Sequence, residues 1–252
     1  MTGVGQRKAG GMATFERPLD FSAAFAALRE LMRNPDDTKQ AFRIAQALSG
    51  NSGERLYRRF LKTDVGRAVL AERRILLDRL KDSEALQALP EGSLGRAYLD
   101  FLRAQQITAE GLVDASAQGY RRVSDLDPDR ELLSDRLRDM HDLWHTVTGY
   151  KGDLIGEAAL LALTFVQTRN PGVGLIALMA LLRSGPLPGA RRAIVEGLAR
   201  GMRAAWLVSA DWERLLAEPL SDVREELRLG APPKYQPIYT SDPGVREFLA
   251  AA

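Results

Sequence analysis

Apolar residues recur three and four positions apart through almost the whole chain, and no clear single alternation bounded by turns appears. That period puts them on one face of successive α-helices and leaves no pattern for a sheet. The expected fold is all-α: a single-domain bundle of mostly antiparallel helices with short connections. At 252 residues, 45% of them hydrophobic, the chain can bury one substantial core.

Turn and cap residues divide the pattern. Asp20 caps a first helix that carries Phe21, Phe25, Leu28, Leu31 and Met32 and ends before Asn34-Pro35. Further helices are expected at about 38–48, 53–62, 65–81, 93–105 and 109–118. Asp127-Pro128 is a capping Asp followed by Pro at the first helical position; the helix it opens should run to Thr148 and stop at Gly149. Asp153 caps the next, about 154–168, and others follow at about 172–183, 188–208 and 211–216. The domain reading is a disordered Gly-rich segment over 1–19, one helical domain over 20–230, and a Pro-rich extended tail over 231–252.

Composition removes several function classes. The 35 Lys and Arg nearly balance the 33 Asp and Glu, so net charge makes no case for nucleic acid. With no cysteine there is no disulfide, Cys-ligated zinc, iron–sulfur cluster or thiol catalysis. Residues 1–14 lack the apolar run of a secretory signal and the Arg-rich pattern of a mitochondrial presequence, and no stretch reaches the roughly 20 apolar residues of a spanning helix. The expected location is the cytoplasm, with any membrane contact peripheral. No flavin or nicotinamide fingerprint is present.

The chain has two histidines, and they sit four residues apart in His141-Asp142-Leu143-Trp144-His145. On a helix such residues lie about 40° apart on one face, so two imidazoles can reach one ion. Leu133, Leu137, Met140, Trp144 and Val147 form the buried stripe of that helix and put the histidines on its flank. A half-buried polar flank with satisfied hydrogen bonds is the plain alternative. Asp142, about 100° round, can lean in as ligand or base. Glu157 would lie about 18 Å away on an unbroken helix, but Gly149, Gly152 and Asp153 let the chain reverse and face Glu157 toward the pair. Favourable placement near a helix N-terminus is its plainer role.

Rival chemistries lack parts. A zinc protease of this spacing carries Glu between the histidines. A His-Asp phosphohydrolase needs another histidine upstream, and a di-iron bundle needs a second acidic-x-x-His motif. The donors left suit one divalent zinc, iron or manganese ion rather than calcium. An unrelated metal-dependent hydrolase remains open on the ligands alone.

His-Asp-x-x-His, eleven residues, then Glu resembles the metal-ligand signature of the coenzyme Q (ubiquinone) biosynthesis family numbered four in the Coq series. The likeness extends to Leu89-Pro90-Glu91-Gly92-Ser93-Leu94-Gly95-Arg96, to Gly149-Tyr150, to Trp212 with Pro219-Leu220-Ser221-Asp222, and to Pro232-Pro233-Lys234-Tyr235, about residues 20–237 in all. The resemblance implies a helical fold and one divalent metal on His141, Asp142, His145 and Glu157, which would also be the catalytic set. It further implies a polyprenylated quinone precursor as ligand, other ubiquinone-biosynthesis proteins as partners, and peripheral contact with the inner membrane. Two functions follow: oxidative decarboxylation at ring C1 of a polyprenylated hydroxybenzoate, or a non-catalytic lipid-binding scaffold with a structural metal. A homo-oligomer is left open. Asp139, one turn ahead of the pair, is placed to orient a ligand. The helices over 154–166 and 173–182 are apolar on most faces, which fits plain core or a lipid slot. Arg191, Arg192, Arg200 and Arg203 read as a solvated face or a contact for anionic headgroups.

Overall fold

Capping side chains fix where several helices of the computed structural model begin; it describes residues 18–108, 127–185 and 187–245. Asp20 accepts from the Ala23 amide and opens α1 (Phe21–Arg33), which a short turn joins to α2 (Thr38–Ala47). There follow α3 (Ser52–Phe60), α4 (Asp64–Glu72), α5 (Leu76–Leu80), α6 (Ser83–Gln87) and α7 (Leu94–Gln105). Asp127 accepts from the amides of Asp129 and Arg130 and starts the longest helix, α8 (Pro128–Thr148). Then come α9 (Leu154–Thr168), α10 (Pro171–Arg183), α11 (Ala190–Arg203), a 3-10 turn at Leu207–Ser209, α12 (Trp212–Leu215) and α13 (Leu220–Glu226). Among the described residues there is no strand beyond an isolated bridge between Ser93 and Pro219. The fold is all-α, as the periodicity requires.

The boundaries differ from expectation in a few places. The single helix expected over 65–81 is two, because Arg73 adopts a left-handed conformation (φ 52°) and turns the chain between α4 and α5. α6 and α13 were not anticipated, and the helix expected over 188–208 ends at Arg203. The expected 109–118 helix, like most of the 1–19 segment, lies outside the described residues.

Two apolar clusters organise the bundle. The larger surrounds α8 and joins Leu133, Met140, Trp144 and Val147 to Tyr98, Leu207 and Trp212. The smaller ties α1 and α2 to α10 through Ala24, Leu28, Ile44, Leu48 and Ile176. Asn170 links cap to core: its side-chain oxygen accepts from the Gly172 and Val173 amides at 2.8 and 3.2 Å, while its nitrogen donates to the Ala45 carbonyl. A cavity of about 560 Å³ is lined from both clusters, by Leu28, Met32, Ile176 and Met179 of the smaller and Leu137, Trp144 and Ile155 of the larger, with Ala45 and His141 beside them.

The C-terminal end of α8 is held from outside. Arg224 donates to the carbonyls of Val147 and Thr146 (2.9 and 3.3 Å), and Arg200 to that of Thr148 (2.9 Å), satisfying acceptors that a helix end leaves open. Arg200 is therefore buried, only 2% exposed, and is neither a solvated face nor a headgroup contact. Between α13 and residue 244 the chain runs without helix along the α8–α9 connection. There Tyr235 donates from its hydroxyl to Asp153 (2.7 Å), and the Ile238 amide donates to the other oxygen of Asp153 (3.0 Å).

Candidate metal centre

α8 and α9 bring the candidate ligands together by reversing direction over five residues. Gly149, with φ 79°, ends α8, and its amide donates to the His145 carbonyl at 2.8 Å. Asp153 then caps α9 while the tail grips the same carboxylate, so Glu157 lies in the first turn of α9 facing α8. His145 Nε2 is 3.2 Å from Glu157 Oε1, and His141 Nε2 is 3.7 Å from Glu157 Oε2. One ligand atom from each of the three residues falls within 4.8 Å of the others. Donors around a shared tetrahedral ion about 2.0–2.1 Å away stand about 3.3 Å apart, so the spacing suits one.

Each ring is aimed from its far nitrogen. Asp142 Oδ1 lies 3.1 Å from His141 Nδ1, and the Tyr150 carbonyl lies 3.0 Å from His145 Nδ1. Such contacts fix the tautomer in which Nε2 is the free lone pair. Phe101 of α7 stacks on the His145 ring, centroids 5.3 Å apart and planes 15° from parallel. His145 is 1% exposed, deeper than the flank its spacing implied, and its Nε2 is buried without a well-aligned hydrogen-bond partner, although Glu157 stands near. A buried, pre-aimed nitrogen of this kind beside a carboxylate is compatible with a metal ligand.

Of the four residues in the signature, the structure brings His141, His145 and Glu157 to one point and stands Asp142 at the Nδ1 side of His141. Asp139 does not reach a histidine; its carboxylate takes Arg138. The side chains of His141 and Glu157 keep 30% and 41% of their surface open, and both line the cavity. Electrostatics follows from this crowding. Burial opposes charge on both groups. Even so, His145 and His141 hold the Glu157 carboxyl down at about 2. His141 is raised, because its bond to Asp142 and the charges of Glu157 and Asp142 outweigh burial.

Residues 16–233 match the profile of the family described as Coenzyme Q (ubiquinone) biosynthesis protein Coq4. The chain belongs to the Coq4 family. Two relatives illustrate the match. The Culex quinquefasciatus protein named "Ubiquinone biosynthesis protein COQ4 homolog 1, mitochondrial" is 30% identical over 68% of this chain and 60% of its own length. The Rattus norvegicus COQ4 homolog, also named mitochondrial, is 34% identical over 69% of this chain and 64% of its own. The chain thus spans less than two thirds of either. A crystal structure of a Nostoc punctiforme protein described as a ubiquinone biosynthesis protein superposes with a TM-score of 0.61, covering 85% of this chain and all of that one; at 22% identity it supports the fold.

No helix among the described residues is long and apolar enough to cross a membrane. The names of the relatives say mitochondrial, so a cytoplasmic location gains no support from them. The sequence singles out the three residues that converge here, His141, His145 and Glu157, but not what surrounds them. Phe101 and the Tyr150 carbonyl come from elements whose approach no local pattern announces. Arg138, on the cavity wall, did carry a signal, being three residues before His141 and so on the same stripe of α8.

Proposed function

We propose that this Coq4 protein acts in ubiquinone biosynthesis as a metal-dependent enzyme that removes the C1 carboxyl of a polyprenylated hydroxybenzoate. The observation that carries the reading is the convergence of three donors, two of which, His141 and Glu157, stand on the wall of a 560 Å³ cavity whose lining is mostly apolar. A structural metal site is normally closed by four protein ligands. Here three donors converge and the side of His141 and Glu157 that stays open faces the cavity, which favours chemistry over a purely structural ion in a lipid-binding scaffold.

His141, His145 and Glu157 would hold a divalent zinc, iron or manganese ion, with Asp142 fixing the His141 ring from its Nδ1 side. Such an ion supplies a Lewis acid for the ring carboxylate or phenolate and, if redox-active, a means of engaging oxygen. The chain's own residues do the rest. Leu28, Met32, Ile176 and Met179 take the prenyl tail and exclude water. Phe101 and the Tyr150 carbonyl keep His145 from turning. In the net reaction the bond from ring carbon to carboxyl breaks, carbon dioxide leaves and a hydroxyl derived from water takes its place. The two electrons and two protons released pass to dioxygen, which leaves as hydrogen peroxide, or to an acceptor on a partner ubiquinone-biosynthesis protein. A substrate this apolar resides in a bilayer, and the protein meets the membrane peripherally to receive it.

The test is elemental analysis of the purified protein beside a His141→Ala/His145→Ala variant, followed by turnover of a prenylated 4-hydroxybenzoate. One equivalent of divalent metal, lost in a variant that still folds, together with metal-dependent release of carbon dioxide, is the expected result. No metal in either protein after reconstitution would refute the site; stoichiometric metal without turnover would return the scaffold reading.

A further inference from the structure

Arg138 is a cation set in an apolar wall. Positions 138, 141 and 145 are spaced i, i+3 and i+7 on α8, so Arg138 leaves the helix on the stripe that presents His141, about one turn nearer the N-terminus. Both residues line the cavity. Among the described lining residues the permanent cations are Arg138 and Arg183, and Arg183 belongs to the last turn of α10, where positive charge suits the helix end. No such helix-end role accounts for Arg138.

The guanidinium is held rather than loose. Nε donates to Asp139 Oδ1 and Nη1 to Asp135 Oδ1, both at 2.9 Å, while Nη2 stands 2.7 Å from Asp139 Oδ1. The two hydrogen bonds leave N–H groups on both terminal nitrogens, the donors with which a guanidinium takes a carboxylate. The side chain is 13% exposed, and that of Asp139 is 2% exposed. A buried ion pair is generally no more stabilising than apolar residues of the same volume, so stability does not explain charge at this place.

The geometry points to Arg138 as the residue that recognises a carboxylate on the head group of the cavity's ligand, one helical turn from the metal cluster. The site then selects apolar-tailed acids over apolar-tailed phenols. Asp135 and Asp139 fix the plane of the guanidinium and reduce its pull on an incoming anion, which limits the discrimination to about tenfold to a hundredfold. This inference rests on the reading of the cavity as a prenyl-tail slot.

Calorimetric titration of the full chain with 3-geranyl-4-hydroxybenzoate and with 2-geranylphenol tests it. The wild type should bind the acid at least about tenfold more tightly, and Arg138→Met should bring that ratio below about threefold with phenol affinity nearly unchanged. Arg138→Lys should recover part of it. Because Arg138→Met strands a buried carboxylate, Arg138→Met/Asp139→Asn is measured alongside, with the same loss expected. A neutral variant that keeps the wild-type ratio overturns the role of Arg138. So does a wild type that binds both probes equally, though the cavity reading then stands. A wild type that binds neither probe overturns both.

Discussion

Gly197→Ala sets two effects of similar size against each other, and the structure says which should win. α9 and α11 cross so closely that a methyl group at residue 197 would sit 2.2 Å from the Ala159 carbonyl oxygen and 2.9 Å from its carbon. Backbone atoms cannot swing aside as a side-chain tip can, so the helices would have to part by about 1 Å along an interface that buries Ala158, Ala162 and Ile194. Overpacking of this kind costs about 1–3 kcal/mol, while replacing Gly by Ala in a helix interior returns about 1 kcal/mol. Because the clash is with backbone, the cost falls at the upper end of its range, and the net expectation is a loss of about 1–2 kcal/mol, or a melting temperature lower by about 2–8 °C for a domain of this size. Gly201, one turn on, is the internal control. A methyl there would lie 3.0 Å from the Leu163 carbonyl oxygen, a strain that a shift of a few tenths of an ångström relieves. Gly201→Ala should therefore fall within about 1 kcal/mol of wild type, because the propensity gain nearly offsets the crowding. Urea unfolding of the two single variants decides the matter. If Gly197→Ala equals or exceeds wild type in stability, helix propensity governs that site and the close-crossing argument is wrong.

Two further outcomes follow from the candidate site. Tyr235→Phe removes the hydroxyl that donates to Asp153 and accepts from the Lys151 amide, and should cost about 1–3 kcal/mol in urea unfolding while weakening metal binding in a competition titration; unchanged values in both would show that the tail contact is incidental. Glu157, held at about 2 against its usual 4.5, binds fewer protons folded than unfolded between those values, so its contribution is present above about pH 4.5 and is lost as pH falls toward 2. Metal-free wild type should accordingly lose stability more steeply than Glu157→Gln between about pH 5 and pH 3, by an amount reduced by the 41% of the side chain that water in the cavity can reach; parallel acid profiles would contradict the shift.

Much of this arrangement is legible in the sequence because its punctuation is local. Asp20, Asp127-Pro128, Gly149, Asp153 and Asn170-Pro171 each act on the turn beside them, and the helices start and stop there. The reversal between His145 and Glu157 could be foreseen for the same reason. What stayed hidden depends on distant partners. Arg73 breaks a helix in a left-handed conformation that no glycine or proline marks. Arg200 reads as a surface charge until the carbonyls of Thr148 and Leu229 are seen around it. The approach of Phe101 to His145 belongs to packing between α7 and α8, and no helical period in either segment encodes it.

The tail that grips Asp153 also sets a schedule for the chain as it is made. α8 and α9 leave the ribosome long before Arg224, Tyr235 and Ile238, yet those later residues close off the end of α8 and pin the connection that carries Glu157 toward the histidines. Until they emerge, the donors are present but not held at their final separation. The three side chains therefore reach their final separation only after residues 224–238 have been made, some seventy residues after the last of them.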